Sequence, residues 1–324
     1  MNWKCVFIFI KKICYNSFLF VRKFIVVSII IFLMLVLTCW CVWGMIQQYP
    51  QQARIVLATP LKIKLLASGF FAFVADCIGI GSFAVNIALA KFLNTFSDEE
   101  LPPMVNGAQI VPGALESIFF MQLINVDMTT LIVLVLGTCI GGILGGHVVS
   151  KLSKQAIRFS MMICFSLIIF LLVSKQLNLL PVGGDLTALT SWKLVIGFFA
   201  MLVCGALTSV GIGLFAMVQG VLFLLNVSPA VAFPIMTTAG AMQQPLTTLV
   251  FLKQKKIPLK RTFFVSVGGC LGVLAILPIF KWFTTAWLHN LLITILFYNL
   301  LSIGKAFIQE RNVARLGQLD QQYD

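Results

Sequence analysis

The sequence predicts an all-α, polytopic integral membrane protein built from two homologous helical repeats, each opening on a broken helical segment. Three observations lead there. Of 324 residues, 60% are hydrophobic and only 10% charged, with a mean hydropathy of +1.03, whereas a soluble domain carries about 25% charged residues. The apolar residues fall in continuous runs that can cross a bilayer of roughly 30 Å as helices of about 20 residues, without the period-two alternation of a β-barrel. Finally, the stretch Asp76-Cys77-Ile78-Gly79-Ile80-Gly81-Ser82-Phe83-Ala84 has an echo, Thr208-Ser209-Val210-Gly211-Ile212-Gly213-Leu214-Phe215-Ala216, later in the chain.

Taken in order, the chain begins with a basic segment (Lys4, Lys11, Lys12, Arg22, Lys23) and an apolar run over 24–46. That run is too long for the core of a signal peptide and no small-residue cleavage site follows, so it reads as a retained helix. A polar linker, 47–64, leads to an apolar segment over 65–94 that is broken at Gly79 and Gly81. Residues 95–103, with Asp98, Glu99, Glu100 and Pro102-Pro103, read as an exposed turn. Helices are expected over 104–124, 128–150 and 159–174, the last two separated by a loop with Lys151, Lys154 and Arg158. A second linker holds Pro181 and Gly183-Gly184-Asp185, and the pattern then restarts. The second broken segment spans 192–226, and helices follow near 231–252, 262–280 and 285–304, the first two separated by the basic loop 253–261. The expected organisation is therefore 1–64 (basic segment, extra membrane helix and linker), 65–175 (first repeat), 176–191 (linker), 192–304 (second repeat) and 305–324 (polar tail).

An ungapped shift of about 132 residues aligns Gly79 with Gly211, Ile80 with Ile212, Gly81 with Gly213 and Phe83 with Phe215. The same shift matches Asn94 with Asn226, Pro102 with Pro234, Gln122 with Gln254 and Gly137 with Gly269. Apolar composition alone yields Leu and Ile coincidences but not this run of Gly, Pro, Asn and Gln, so the chain is read as duplicated. If each broken segment forms a hairpin, each half crosses the membrane an odd number of times and the halves are inverted; if it crosses once, they are parallel. Inversion puts Arg54, Lys62 and Lys64, the 151–158 and 253–261 loops, and Lys305, Arg311 and Arg315 on one side. That is the asymmetry expected of a cytoplasmic face. It also places the basic N-terminus outside.

The net charge of +13 belongs to these loops and is no nucleic-acid footprint. The nine cysteines show neither metal-ligand nor redox spacing. No zinc-protease, nucleophile-elbow or phosphate-loop motif occurs, so neither an enzyme nor a cofactor is expected.

The candidate chemistry lies at the breaks. A glycine inside a helix costs about 1 kcal/mol relative to alanine, and paired interruptions at corresponding places in two halves point to a transporter's binding site. A helix restarting after Gly-Ile-Gly has free backbone N–H groups at its positive end, suited to an anion. The candidates for contact are Gly79, Ile80, Gly81, Ser82 and Phe83 with Gly211, Ile212, Gly213 and Leu214. Asp76 precedes the first break, where the second has Thr208, and Glu116 lies in an apolar run. Ionisable residues there are costly and tend to be functional, and a carboxyl withdrawn from water holds a proton more readily. Asp76 and Glu116 are therefore candidates for ion coupling, although Asp76 could simply cap its own break. Asn106 and Gln109, with Thr237, Thr238, Gln243 and Gln244, polar residues of later helices, are the remaining candidates for substrate contact, with helix–helix hydrogen bonding as the commoner use of such residues. The glycine pairs, too, could serve close helix packing alone.

The repeated Gly-x-Gly break, the turn Leu101-Pro102-Pro103 before a polar helix, and Gly137…Gly141-Gly142…Gly145-Gly146 before a basic loop resemble the TauE/SafE sulfite exporter family. The resemblance covers about 65–304. It implies a bacterial-type inner-membrane permease for small sulfur-containing anions such as sulfite or sulfonates, with ion coupling. Ser82-Phe83 and Leu214-Phe215 stand where members carry further glycines, and the following helices lack the usual proline. Apart from the anion and the lipid bilayer, no partner is indicated, and self-association stays open. An uncoupled channel or facilitator and a non-transporting membrane scaffold are the competing readings.

Overall fold

The computed structural model describes residues 3–52, 56–123, 126–177, 184–278, 297–298, 300–305 and 307–308. Among these the chain is all-helical, with no strand and one isolated β-bridge, Leu186 to Val227. The helices are α1 (Trp3–Gln48), α2 (Thr59–Cys77), α3 (Ser82–Phe92), α4 (Leu101–Leu123), α5 (Met128–Val149) and α6 (Lys154–Gln176). They continue with α7 (Ser191–Thr208), α8 (Leu214–Leu224), α9 (Pro229–Lys253) and α10 (Leu259–Ile276). The helix expected over 285–304 falls largely outside the described residues, as does Arg54.

Among the described residues, four helices have the length and apolar composition to cross a membrane: Ile25–Gln52, Met128–Val149, Ser191–Thr208 and Leu259–Ile276. Their outer faces are lined with exposed apolar side chains, including Phe32, Trp40 and Trp43 on α1, Leu136 and Leu144 on α5, Phe199 on α7 and Leu274 on α10. Water does not tolerate apolar surface on this scale; lipid does. The polar residues are inside instead. Asn106, Gln109, Glu116 and Ser117 of α4, and Thr237, Thr238, Gln243 and Gln244 of α9, are all buried.

The packing order across the molecule is α2, α10, α4, α9, α5, α7, with α1 laid against α9 and α4. This order reads the same in reverse if α2 is exchanged for α7, α10 for α5 and α4 for α9. The two outer pairs are in backbone contact. A Cβ on Gly141 of α5 would stand 1.9 Å from the Leu202 carbonyl oxygen of α7, and one on Gly268 of α10 would stand 2.0 Å from that of Leu66 in α2. Gly137, Gly145, Gly205, Gly69 and Gly272 are confined by backbone oxygens in the same way. Glycine at four-residue spacing lets two helix backbones touch. The contacts also adjust the sequence register. Gly137 faces Phe198 and Gly268 faces Leu66, so in the packing Gly268 takes the place that the ungapped comparison gives to Gly269.

One end of the molecule gathers the cations. There Arg158 Nε donates to Asp98 Oδ2 at 2.5 Å, Lys91 pairs with the same carboxylate, and Arg261 pairs with Glu100. Arg261 also donates to the Thr95 carbonyl at 2.7 Å and lies over the Phe96 ring. The expectation of an exposed turn at 95–103 is thus corrected: Thr95, Phe96 and Asp98 are buried, because cations from α3, α6 and α10 close over them. The C-terminus of α1 is fixed at this end by Gln52 Nε2 donating to the Ile257 carbonyl at 2.9 Å. Here α2 also starts, parallel to α10, with Pro60 in its first turn, a position that suits proline. At the opposite end, Ser228 N donates to the Leu186 carbonyl at 2.9 Å, and Leu189 N donates to Thr130 Oγ1 at 2.9 Å.

The two broken segments are therefore hairpins. The arms α2 and α3 have both outer ends at the basic end, whereas α7 and α8 have theirs at the opposite end. Each second arm stops in the same way. Asn94 and Asn226 take the left-handed conformation, with φ of 51° and 65°, while Thr95 N reaches the Ala90 carbonyl and Val227 N that of Leu222. This is a helix C-cap that asparagine tolerates.

Candidate functional site

The hairpin tips meet inside the molecule. In the first, Gly79 N donates to the Asp76 carbonyl and Ile80 N to that of Ala75. The chain then turns through Gly79 and Gly81 at φ of 90° and 97°, a region that side chains disfavour. In the second, Gly211 takes φ of 102°, but Gly213 has an ordinary φ of −56°. The contact between the tips is reciprocal. A Cβ on Gly81 would face Phe215 Cβ at 3.9 Å, and one on Gly213 would face Phe83 Cβ at 3.6 Å. The glycines at the tips thus serve backbone conformation and clearance, and tight helix packing is left to the glycines of the outer pairs. We expect Gly211→Ala to lose roughly 1–3 kcal/mol through backbone strain, with Gly213→Ala retaining near-wild-type thermal stability in detergent. Equal melting temperatures for the two variants would contradict this assignment.

A cavity lies where the tips meet α4 and α9. It is lined by Asp76, Gly81, Ser82, Phe83, Gln109, Gly113, Glu116, Gly213, Leu214, Phe215, Met236, Thr237, Gly240, Ala241 and Gln244. Its volume of about 10 Å³ is close to the room one water needs. No Lys, Arg or His is among its lining residues. Lys91, in the last turn of α3, is about 12 Å along the helix axis from Phe83.

Asp76 organises one wall. Its carboxylate accepts from Ser82 N at 2.8 Å, from Ser82 Oγ at 2.8 Å and from Gln109 Nε2 at 2.6 Å. It therefore caps the N-terminus of α3 from six residues upstream and ties that end to α4. Glu116 lies within hydrogen-bonding reach of it. Each of the two acids is only 1% exposed, which rules out a lipid-boundary position for Glu116. The second tip is built differently. Thr208, in the place of Asp76, donates back to the Cys204 carbonyl at 2.8 Å, and the N-cap of α8, Gly213, has no side chain with which to cap it.

Of the residues singled out from sequence, Asp76, Gly81, Ser82, Phe83, Gln109, Glu116, Gly213, Leu214 and Thr237 come together around this cavity. Gly79, Ile80, Gly211, Ile212, Asn106 and Thr238 do not line it. Gly79 faces the Phe233 ring, and Ile80 and Ile212 are core side chains. Asn106 Nδ2 donates to the Pro102 carbonyl at 2.9 Å and the Thr208 carbonyl at 3.3 Å. Thr238 accepts from Ser117 Oγ. Phe215, the end of the second broken stretch, and Gln244 line it too, whereas Gly113, Met236, Gly240 and Ala241 line the cavity without having been singled out. A usable pattern was present: Gln109 and Gly113, and Gly240 and Gln244, are each one helical turn apart, so each glycine leaves room for a folded-back glutamine.

Comparison with known proteins gives no match to a protein-family model, a curated protein or a solved structure.

Proposed function

We propose that the chain is a multi-pass secondary transporter of a small anion, a sulfur oxyanion or sulfonate in class, in a cell membrane of the bacterial inner-membrane type. The observation that carries this reading is the meeting of two glycine-broken hairpins, entering from opposite ends, at one small cavity. Oppositely directed hairpins in corresponding places are what an inverted duplication produces, and such repeats place their site at the midplane. The reversible packing order, the matched asparagine caps and the reciprocal Gly81–Phe215 and Gly213–Phe83 contacts support the same duplication. The basic end then faces the cytoplasm.

The two tips have different tasks in this reading. The start of α3 is already occupied by the Asp76 carboxylate. The start of α8, with glycine at its N-cap, offers the N–H groups of a helix N-terminus and is the place for the anion. Asp76 and Glu116 hold the coupling ion opposite it. The small cavity corresponds to a closed form, between forms open to either end. The resemblance to the TauE/SafE family supplies the substrate class.

The test is flux into proteoliposomes, with sulfite, thiosulfate, sulfonates and carboxylates offered in turn, with and without proton and sodium gradients. Saturable uptake of at least one sulfur anion, driven above equilibrium by one gradient, is expected. Saturable uptake that ignores both gradients would make the protein a facilitator. Uptake equal to that of protein-free vesicles for every anion would overturn the transporter reading.

A further inference from the structure

The polar atoms around the cavity are out of balance. Every donor with a defined partner is directed away from the empty space. Gln109 Nε2 and Ser82 N are spent on Asp76. The Ser82 hydroxyl proton goes to Asp76 Oδ2 or to Gln109 Oε1. Thr237 Oγ1 donates to the carbonyl of Phe233 or Pro234, at 3.2 and 3.3 Å, so what it can offer the cavity is a lone pair. Two acceptors are left over. Among the described residues Glu116 Oε1 and Gln244 Oε1 have no hydrogen-bond partner, and their residues are only 1% and 3% exposed.

Unpartnered oxygens at a cavity beside two buried acids call for a positively charged ligand. A buried charge is costly unless it is paired or coordinates an ion, and no cationic side chain lines this space. Carboxylate, amide and hydroxyl oxygens are the ligands of hard cations. The volume of about 10 Å³ admits one particle no larger than a water. That accommodates a dehydrated sodium ion and leaves no space for an oxyanion or an organic cation.

We propose that this cavity is a binding site for a monovalent cation of sodium size, held by Glu116 Oε1, Gln244 Oε1 and Thr237 Oγ1 beside the Asp76 carboxylate. The proposal deepens the transporter reading by naming its coupling ion. It rests on that reading only for the coupling, because the site can be tested by binding alone. A sodium ion there sits between the capped start of α3 and the start of α8. It cancels the negative charge of the acids next to the place where the anion binds. Sodium would thereby raise affinity for the anion and, by linkage, the anion would raise affinity for sodium.

The experiment is thermal unfolding of the purified full-length protein, with sodium chloride replaced at constant ionic strength by potassium or choline chloride, together with equilibrium binding of ²²Na⁺. Sodium is expected to raise the melting temperature saturably, potassium far less and choline not at all. Glu116→Gln and Gln244→Leu should each weaken sodium binding by about tenfold or more, and Thr237→Val serves if either variant fails to fold. Identical melting in sodium and choline with no ²²Na⁺ bound, or a sodium response unchanged in the variants, overturns the proposal. So does stabilisation that follows pH at every sodium concentration, which would assign the site to protons. Failure of sodium binding alongside gradient-driven anion flux would remove this site and keep the transporter. Sodium binding without flux of any anion would do the reverse.

Discussion

Asp76→Ala is expected to reduce anion flux to the level of protein-free vesicles and to destabilise the protein by about 3 kcal/mol or more. The side chain accepts from Ser82 N and Gln109 Nε2 in a buried setting, with the Ser82 hydroxyl within reach as well, and each buried donor left without a partner costs about 1–3 kcal/mol. The start of α3 also loses the anionic group that complements its dipole. Asp76→Asn separates function from folding. Its one oxygen can still accept from Ser82 N, but its amide opposes Gln109 Nε2, so most of the stability should return without the flux. Wild-type flux in either variant would show that the hairpin tip does not take part in transport.

The second large effect concerns the outer helix pairs. Gly141→Ala puts a methyl group 1.9 Å from the Leu202 carbonyl oxygen, and Gly268→Ala puts one 2.0 Å from that of Leu66. In each case the neighbour is backbone, so relief requires two helices to part. We expect losses of about 3 kcal/mol or more, from the upper range of overpacking costs, seen as lower yield and a lower melting temperature. Intrinsic helix propensity predicts the opposite sign, since alanine gains about 1 kcal/mol over glycine inside a helix. Gly304→Ala is the matched control: among the described residues nothing lies within 4 Å of its added methyl group, so it should be neutral or slightly stabilising.

Much of the layout was legible in the sequence because it depends on residue types with few alternatives. Glycines interrupting an apolar run mark a helix break, and the matched asparagines at 94 and 226 mark where the second arms end. Asp76, Gln109 and Glu116 stood out because polar groups in apolar runs need partners, and the structure brings the three together. What could not be read was the division of labour among glycines. Gly213 and Gly211 look alike in sequence, yet only Gly211 has a positive φ. The one-residue slip that sets Gly268 against Gly137 depends on backbone packing, which an ungapped comparison does not register. Burial of Asp98 was equally hidden, because its partners Lys91 and Arg158 come from elements that only the fold brings together. Convergence on the cavity was the least accessible feature. Gln244 and Glu116 belong to different helices, and which of their oxygens lacks a partner depends on every neighbouring hydrogen bond.

The contact of α2 with α10 bears on how the protein is made. Leu66 and Gly268 touch through backbone atoms, yet about 200 residues of synthesis separate them. The first hairpin must therefore be held without its main packing partner until nearly the whole chain has been produced. The α5–α7 pair can form much earlier, since Gly141 and Leu202 are close in sequence. Contacts between distant residues slow folding. The docking of α10 against α2 is then a late assembly step, and chains truncated before α10 leave the face of α2 that carries Gly69 uncovered, inviting capture by quality control.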